Sequence, residues 1–101
     1  MNYSEIDYND DYERGLEELE CLRKHTILLP ITSIKVNNLR KAGKEREGNA
    51  LEYDARFKSF MKRCEREWHY RDPRGEQSLT QFAHDALGRT MCEEKKQGRG
   101  R

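Results

Sequence analysis

The sequence contains no apolar run approaching the roughly 18–20 residues needed to cross a bilayer. Its first eleven residues are acidic, where a secretory signal would be basic and then apolar. These absences predict a soluble, cytoplasmic protein with no membrane association. Cysteine is scarce: Cys21, Cys64 and Cys92 are odd in number and widely spaced, which suits a reduced compartment better than a disulfide framework. Each lies in or beside an apolar stripe, so buried or half-buried reduced thiols are expected.

Catalytic and ligand-binding signatures are also missing. Cys64 and His69 are five apart and His84 and Cys92 eight apart, neither being the close pairing that one turn presents to a tetrahedral ion. No metal and no cofactor is expected. Three cysteines and three histidines do not by themselves make a nucleophile and base, because activation needs an environment that favours the thiolate. The carboxylates cluster on polar surfaces and not in apolar settings that would raise a pKa. GKEREG (Gly43–Gly48) lacks the closing Lys-Ser/Thr of a phosphate loop and follows no strand. No catalytic residue is assigned, and the expected class is not an enzyme.

Hydrophobic residues make up 34% of the 101 positions and charged ones 39%, which leaves material for one small core. A core this lean invites completion by a partner protein or by a second copy in a homodimer. The net charge of +1 conceals a polarity. Residues 1–20 hold eight acids and one base, a net −7, and residues 21–101 carry +8. An acidic arm on a basic body either folds back or addresses a partner of opposite charge.

The centre of the pattern is Asn49–Tyr70. Ala50, Tyr53, Phe57, Phe60, Met61, Cys64 and Trp68 recur at steps of mostly three or four, one face of a helix expected to run from Asn49 to Asp72, where Pro73 turns the backbone away. Glu52 with Arg56 and Asp54 with Lys58 are read as surface pairs of a few tenths of a kcal/mol. Before it, residues 1–8 are expected to be an extended arm. A helix of about 15 residues is predicted to start at Asn9, burying Tyr12, Leu16, Leu19, Cys21 and Leu22, with Arg23, Lys24 and His25 at its basic end.

TILLPI (Thr26–Ile31), broken by Pro30, predicts an extended connector in preference to an edge strand. Thr32 or Ser33 is expected to cap a short helix through Ile34, Val36 and Leu39 that Gly43 closes, and GKEREG to be a solvated turn. After a turn over Asp72–Gln77, Ser78 with Gln81 matches a capping box, opening a helix with Leu79, Phe82, Ala83, Ala86, Leu87 and Met91 on one face. Residues 93–101 are expected to form a disordered basic tail beyond a single domain of residues 1–92. The fold class is thus all-α, a small bundle of three to four helices.

The order TILLP, short helix, turn, longer helix resembles a ribbon-helix-helix DNA-binding subunit over about residues 24–66, with Asn49 before LEYDA placed like the start of that family's second helix. The likeness would imply a dimeric sheet. Asn37 and Arg40 stand where that family's first helix would be apolar, and the chain is not assigned to it.

The expected function is therefore non-enzymatic binding of a protein partner. The role would be that of an inhibitor or modulator of a nucleic-acid-processing machine, of the kind small phage or mobile-element proteins supply. Asp10, Asp11, Glu17 and Glu18 would meet a basic groove, and Trp68 and Tyr70 would add buried aromatic area, although Trp68 also fits the core stripe. The alternative is direct DNA or RNA binding through Arg56, Lys58, Lys62, Arg63, Arg66, Arg71 and Arg74. In that reading the like-charge ladder Lys58, Lys62, Arg66 lies against phosphates.

Overall fold

A computed structural model describes the backbone of residues 3–99 and the side chains of residues 12–95. Four helices follow one another: α1 (Tyr3–His25), α2 (Pro30–Lys41), α3 (Glu45–Arg71) and α4 (Leu79–Arg99). No strand occurs among the described residues, so the ribbon of the ribbon-helix-helix arrangement is not formed. α3 is the axis of the bundle. It packs against each of the other three helices; α1 and α4 also touch, and among the described residues α2 rests on α3 alone.

Leu22, Phe57, Phe60, Phe82, Ala83 and Leu87 form the buried cluster with Cys21 and Cys64, and Tyr53, Met61, Trp68, Leu79, Ala86 and Met91 pack at its edge. The stripes predicted on α3 and α4 meet as their spacing requires. Ala50 alone leaves the α3 stripe and is exposed.

Several boundaries differ from the sequence expectations, each for a local reason. α1 begins at Tyr3, six residues before the expected start at Asn9, and α4 runs to Arg99. No proline interrupts either segment, and EEKKQ is built of good helix formers. Residues 1–2 and 100–101 lie outside the described residues.

α2 starts at Pro30, whose fixed φ and missing N–H suit the first helical position, and Leu29 provides no side-chain cap. Thr32 and Ser33 are therefore inside the helix. Gly43, at φ +80°, closes α2 as expected, but the solvated turn is only three residues long. Glu45 and Glu47 occupy the first turn of α3 and favour an early start. Gly48 is buried because α2 crosses there: a Cβ would sit 3.1 Å from Arg40 Cγ and 3.3 Å from the Val36 carbonyl.

The turn after α3 is latched at both ends. The Asp72 carboxylate accepts the backbone N–H of Gln77 (2.7 Å) and of Glu76 (3.0 Å), which holds its pKa below the usual range. Trp68 Nε1 donates to the Gln77 carbonyl at 2.8 Å. Ser78 Oγ accepts the Gln81 N–H at 3.1 Å, half of the capping box; the Gln81 side chain turns instead to Asp85.

Candidate functional site

Three helices meet at one carboxylate. Glu52 is 3% exposed, and four N–H groups from three arginines reach its two oxygens. Arg23 on α1 donates from Nε (2.8 Å) and Nη2 (2.7 Å), a two-pronged grip. Arg40 on α2 and Arg56 on α3 add one bond each at 2.7 Å. A carboxylate has about four lone-pair sites, so the group is saturated. These hydrogen bonds outweigh burial and lower its pKa from 4.5 to about 2.

The network continues into the connector. Arg56 Nη1 donates to the Thr26 carbonyl at 2.9 Å, and the Thr26 hydroxyl donates to the Leu22 carbonyl at 2.6 Å. Arg40 Nη2 also reaches Asn49 Oδ1 at 2.7 Å. Glu52 and Arg56 are thus not a surface pair but the junction fixing α1, α2 and the connector on α3. The i,i+4 pattern gave no sign of this, because Arg23 and Arg40 lie 29 and 12 positions from Glu52.

This junction removes residues from the expected basic face. Arg56 is nearly buried, and Arg63 donates to the His25 carbonyl. Lys58 pairs with Asp54 at 3.3 Å and Arg71 with Glu67 at 3.0 Å, both exposed and weak. Lys62, Arg66 and Arg74 remain exposed.

The expected protein-binding residues also divide. The side chains of Asp10 and Asp11 lie outside the described residues. Glu17 is exposed, whereas Glu18 accepts the Tyr53 hydroxyl at 2.6 Å. Burial first, then Glu18, raises the Tyr53 pKa. Trp68 is half-buried against the core with its ring nitrogen bonded, so it is not an exposed anchor. Tyr70 is exposed.

What the sequence reading missed lies just before and within α2. Ile27, Leu29, Ile31 and Ile34 are 90%, 67%, 65% and 59% exposed, four large aliphatic side chains within eight residues. The cause is geometric: resting on α3 alone, α2 has one inner face, occupied by Val36 with Leu39 and Arg40 half-buried. Ile34 and Val36 lie two residues, or roughly 200°, apart around a helix, so one of them must face out. That spacing was the available signal. On the extended connector Thr26 points in and Ile27 out, and Ile31 and Ile34, three apart, share the outer face of α2.

Solitary exposed aliphatics are ordinary; a concentration of them is not. Its charge environment is one-sided. From Cys21 to Lys44 the chain has no aspartate or glutamate, and Lys35, Lys41 and Lys44 are exposed.

A concavity of about 640 Å³ lies between α1 and α3, lined by Tyr12, Leu16, Leu19, Arg46, Asn49 and Tyr53 among others. Arg46 lies 4.3 Å over the Tyr12 ring, and Asn49 donates to the Tyr12 hydroxyl at 3.1 Å, so these polar groups already bind one another.

All three cysteines are free; Cys21 and Cys64 are buried, but Cys92 is exposed, contrary to expectation. Burial, then Glu94, pushes the Cys21 thiol up to about 11, and burial also raises Cys64. Both shifts run opposite to the depressed thiols of cysteine nucleophiles. No helix among the described residues is long and apolar enough to cross a membrane. No protein-family model, curated protein or solved structure matches the chain, so its own residues carry the functional reading.

Proposed function

We propose that this chain is a non-enzymatic module that binds another protein through the aliphatic ledge Ile27, Leu29, Ile31 and Ile34. The observation that carries the reading is the concentration of these side chains in water on a small domain with few apolar residues to spare. The occupant is an amphipathic segment whose apolar side chains cover the ledge and whose acids face Lys35, Lys41 and Lys44. Apolar burial supplies affinity, and the one-sided charge supplies steering and orientation. A modulator of a nucleic-acid-handling machine remains the proposed role, with the exposed Glu17 as a second contact.

The test is capture from the protein's own cell extract after nuclease treatment. Wild type is compared with Ile31→Ser/Ile34→Ser, Glu17→Gln and Lys62→Ser/Arg66→Ser, and sedimentation is run on each. A stoichiometric protein retained by the last two variants and lost by more than about tenfold from the ledge variant is the expected result. Loss confined to the acidic variant would move the contact to the arm. Capture of nucleic acid alone without nuclease, abolished in Lys62→Ser/Arg66→Ser, would replace the reading with direct nucleic-acid binding. Self-association lost in the ledge variant would make the occupant a second copy.

A further inference from the structure

Cys21 and His25 lie four residues apart on α1 and so share a face, and α4 brings Glu94 to that face. His25 Nε2 and Glu94 Oε2 are 2.9 Å apart, and one donor atom from each of the three residues lies within 4.8 Å of the other two. Cys21 is 3% exposed, and His25 and Glu94 are half-buried, so the thiol lies at the floor of a site open on one side. The cysteine–histidine pairs considered in the sequence did not include this one. Cys21 with His25 has the one-turn spacing, and its third member is 69 residues beyond His25.

A thiolate, an imidazole and a carboxylate are the three donors zinc accepts, at about 2.3, 2.0–2.1 and 2.0–2.2 Å. Around a tetrahedral ion those lengths put donors about 3.5 Å apart, which small side-chain rotations reach from the present separations. Charge also balances: thiolate and carboxylate offset a divalent cation, and the imidazole binds neutral. Magnesium and calcium prefer all-oxygen shells and are disfavoured by the sulfur. Lys24 Nζ, 3.7 Å from Glu94 Oε1, is the one cation facing the cluster among the described ion pairs; being mostly exposed, it swings into solvent.

We propose that Cys21, His25 and Glu94 bind one Zn²⁺, with water in the fourth position, and that the ion clamps the end of α4 to the end of α1. Formation of the sulfur–zinc bond releases the thiol proton to solvent. The ion replaces the direct His25–Glu94 hydrogen bond. Because the connector bearing Ile27 starts immediately after His25, the ion also fixes the root of the ledge.

Co²⁺ serves as the spectroscopic probe, titrated into the full chain carrying Cys92→Ser, an exposed position. The visible bands of tetrahedral cobalt and the near-ultraviolet sulfur-to-cobalt band should saturate at one ion per chain and bleach on addition of Zn²⁺. His25→Gln and Glu94→Gln should each weaken binding by at least about tenfold, and Cys21→Ser should abolish the sulfur band. The first two sites are half-buried outside the core cluster, so those variants decide the matter even if Cys21→Ser fails to fold. Absence of the bands in the folded Cys92→Ser chain, or bands undiminished in both His25→Gln and Glu94→Gln, would overturn the site.

Discussion

The Glu52 junction and the α2 ledge invert the usual sorting of residues. A carboxylate and parts of three arginines are inside, while four aliphatic side chains are outside. The two are linked. Because α2 is held on α3 by Arg40, Gly48 and Val36, it needs little apolar contact for attachment and leaves its other face free. Directional hydrogen bonds fix the geometry of this corner, and apolar surface is left exposed.

The largest expected effect comes from breaking the inner half of that pair. Glu52→Ala leaves three guanidiniums facing one another without a counter-charge, a loss of about 3–5 kcal/mol. In a domain of this size that is a large share of total stability, and thermal unfolding should report a drop of roughly 15 °C or more, or no folded state.

Acid probes the same junction more gently. The folded pKa of Glu52, about 2, lies below its ordinary 4.5, so the unfolded chain takes up the proton more readily. The stabilisation is complete above about pH 4.5 and is lost as pH falls toward 2. Chemical denaturation midpoints measured across that window should decline steadily in wild type. A flat profile would mean that the arginines do not hold the carboxylate.

A smaller effect separates two helical glycines. Nothing lies within 4 Å of the point where a Cβ on Gly88 would sit, so Gly88→Ala should raise stability by about 1 kcal/mol. Gly48→Ala should forfeit that gain, because its Cβ meets Arg40 and the Val36 carbonyl. Equal midpoints for the two variants would show that α2 does not cross α3 closely.

The legible and illegible parts of this protein divide along the same line. The α3 and α4 stripes were readable because their apolar residues repeat along one chain segment, and Phe57, Phe60, Phe82 and Leu87 are buried as their spacing requires. The cap at Ser78 and the close at Gly43 were local as well. Glu52 was misread because a charge four residues before an arginine describes a surface pair and a buried hub equally well; the deciding partners come from other helices. The aliphatic ledge was half legible. Ile34 and Val36 could not both face inward, but that α2 would touch only α3 depends on how the helices pack. The Cys21–His25 spacing was visible, while the arrival of Glu94 was not.

The most direct test is side-by-side thermal unfolding of wild type, Glu52→Ala and Ile31→Ser/Ile34→Ser. Serine on the ledge should change stability by no more than about 0.5 kcal/mol, since those side chains are already in water, while Glu52→Ala collapses it. A ledge variant that unfolds as readily as Glu52→Ala, or a Glu52→Ala protein as stable as wild type, would contradict the account of charge holding the inside and aliphatics serving the surface.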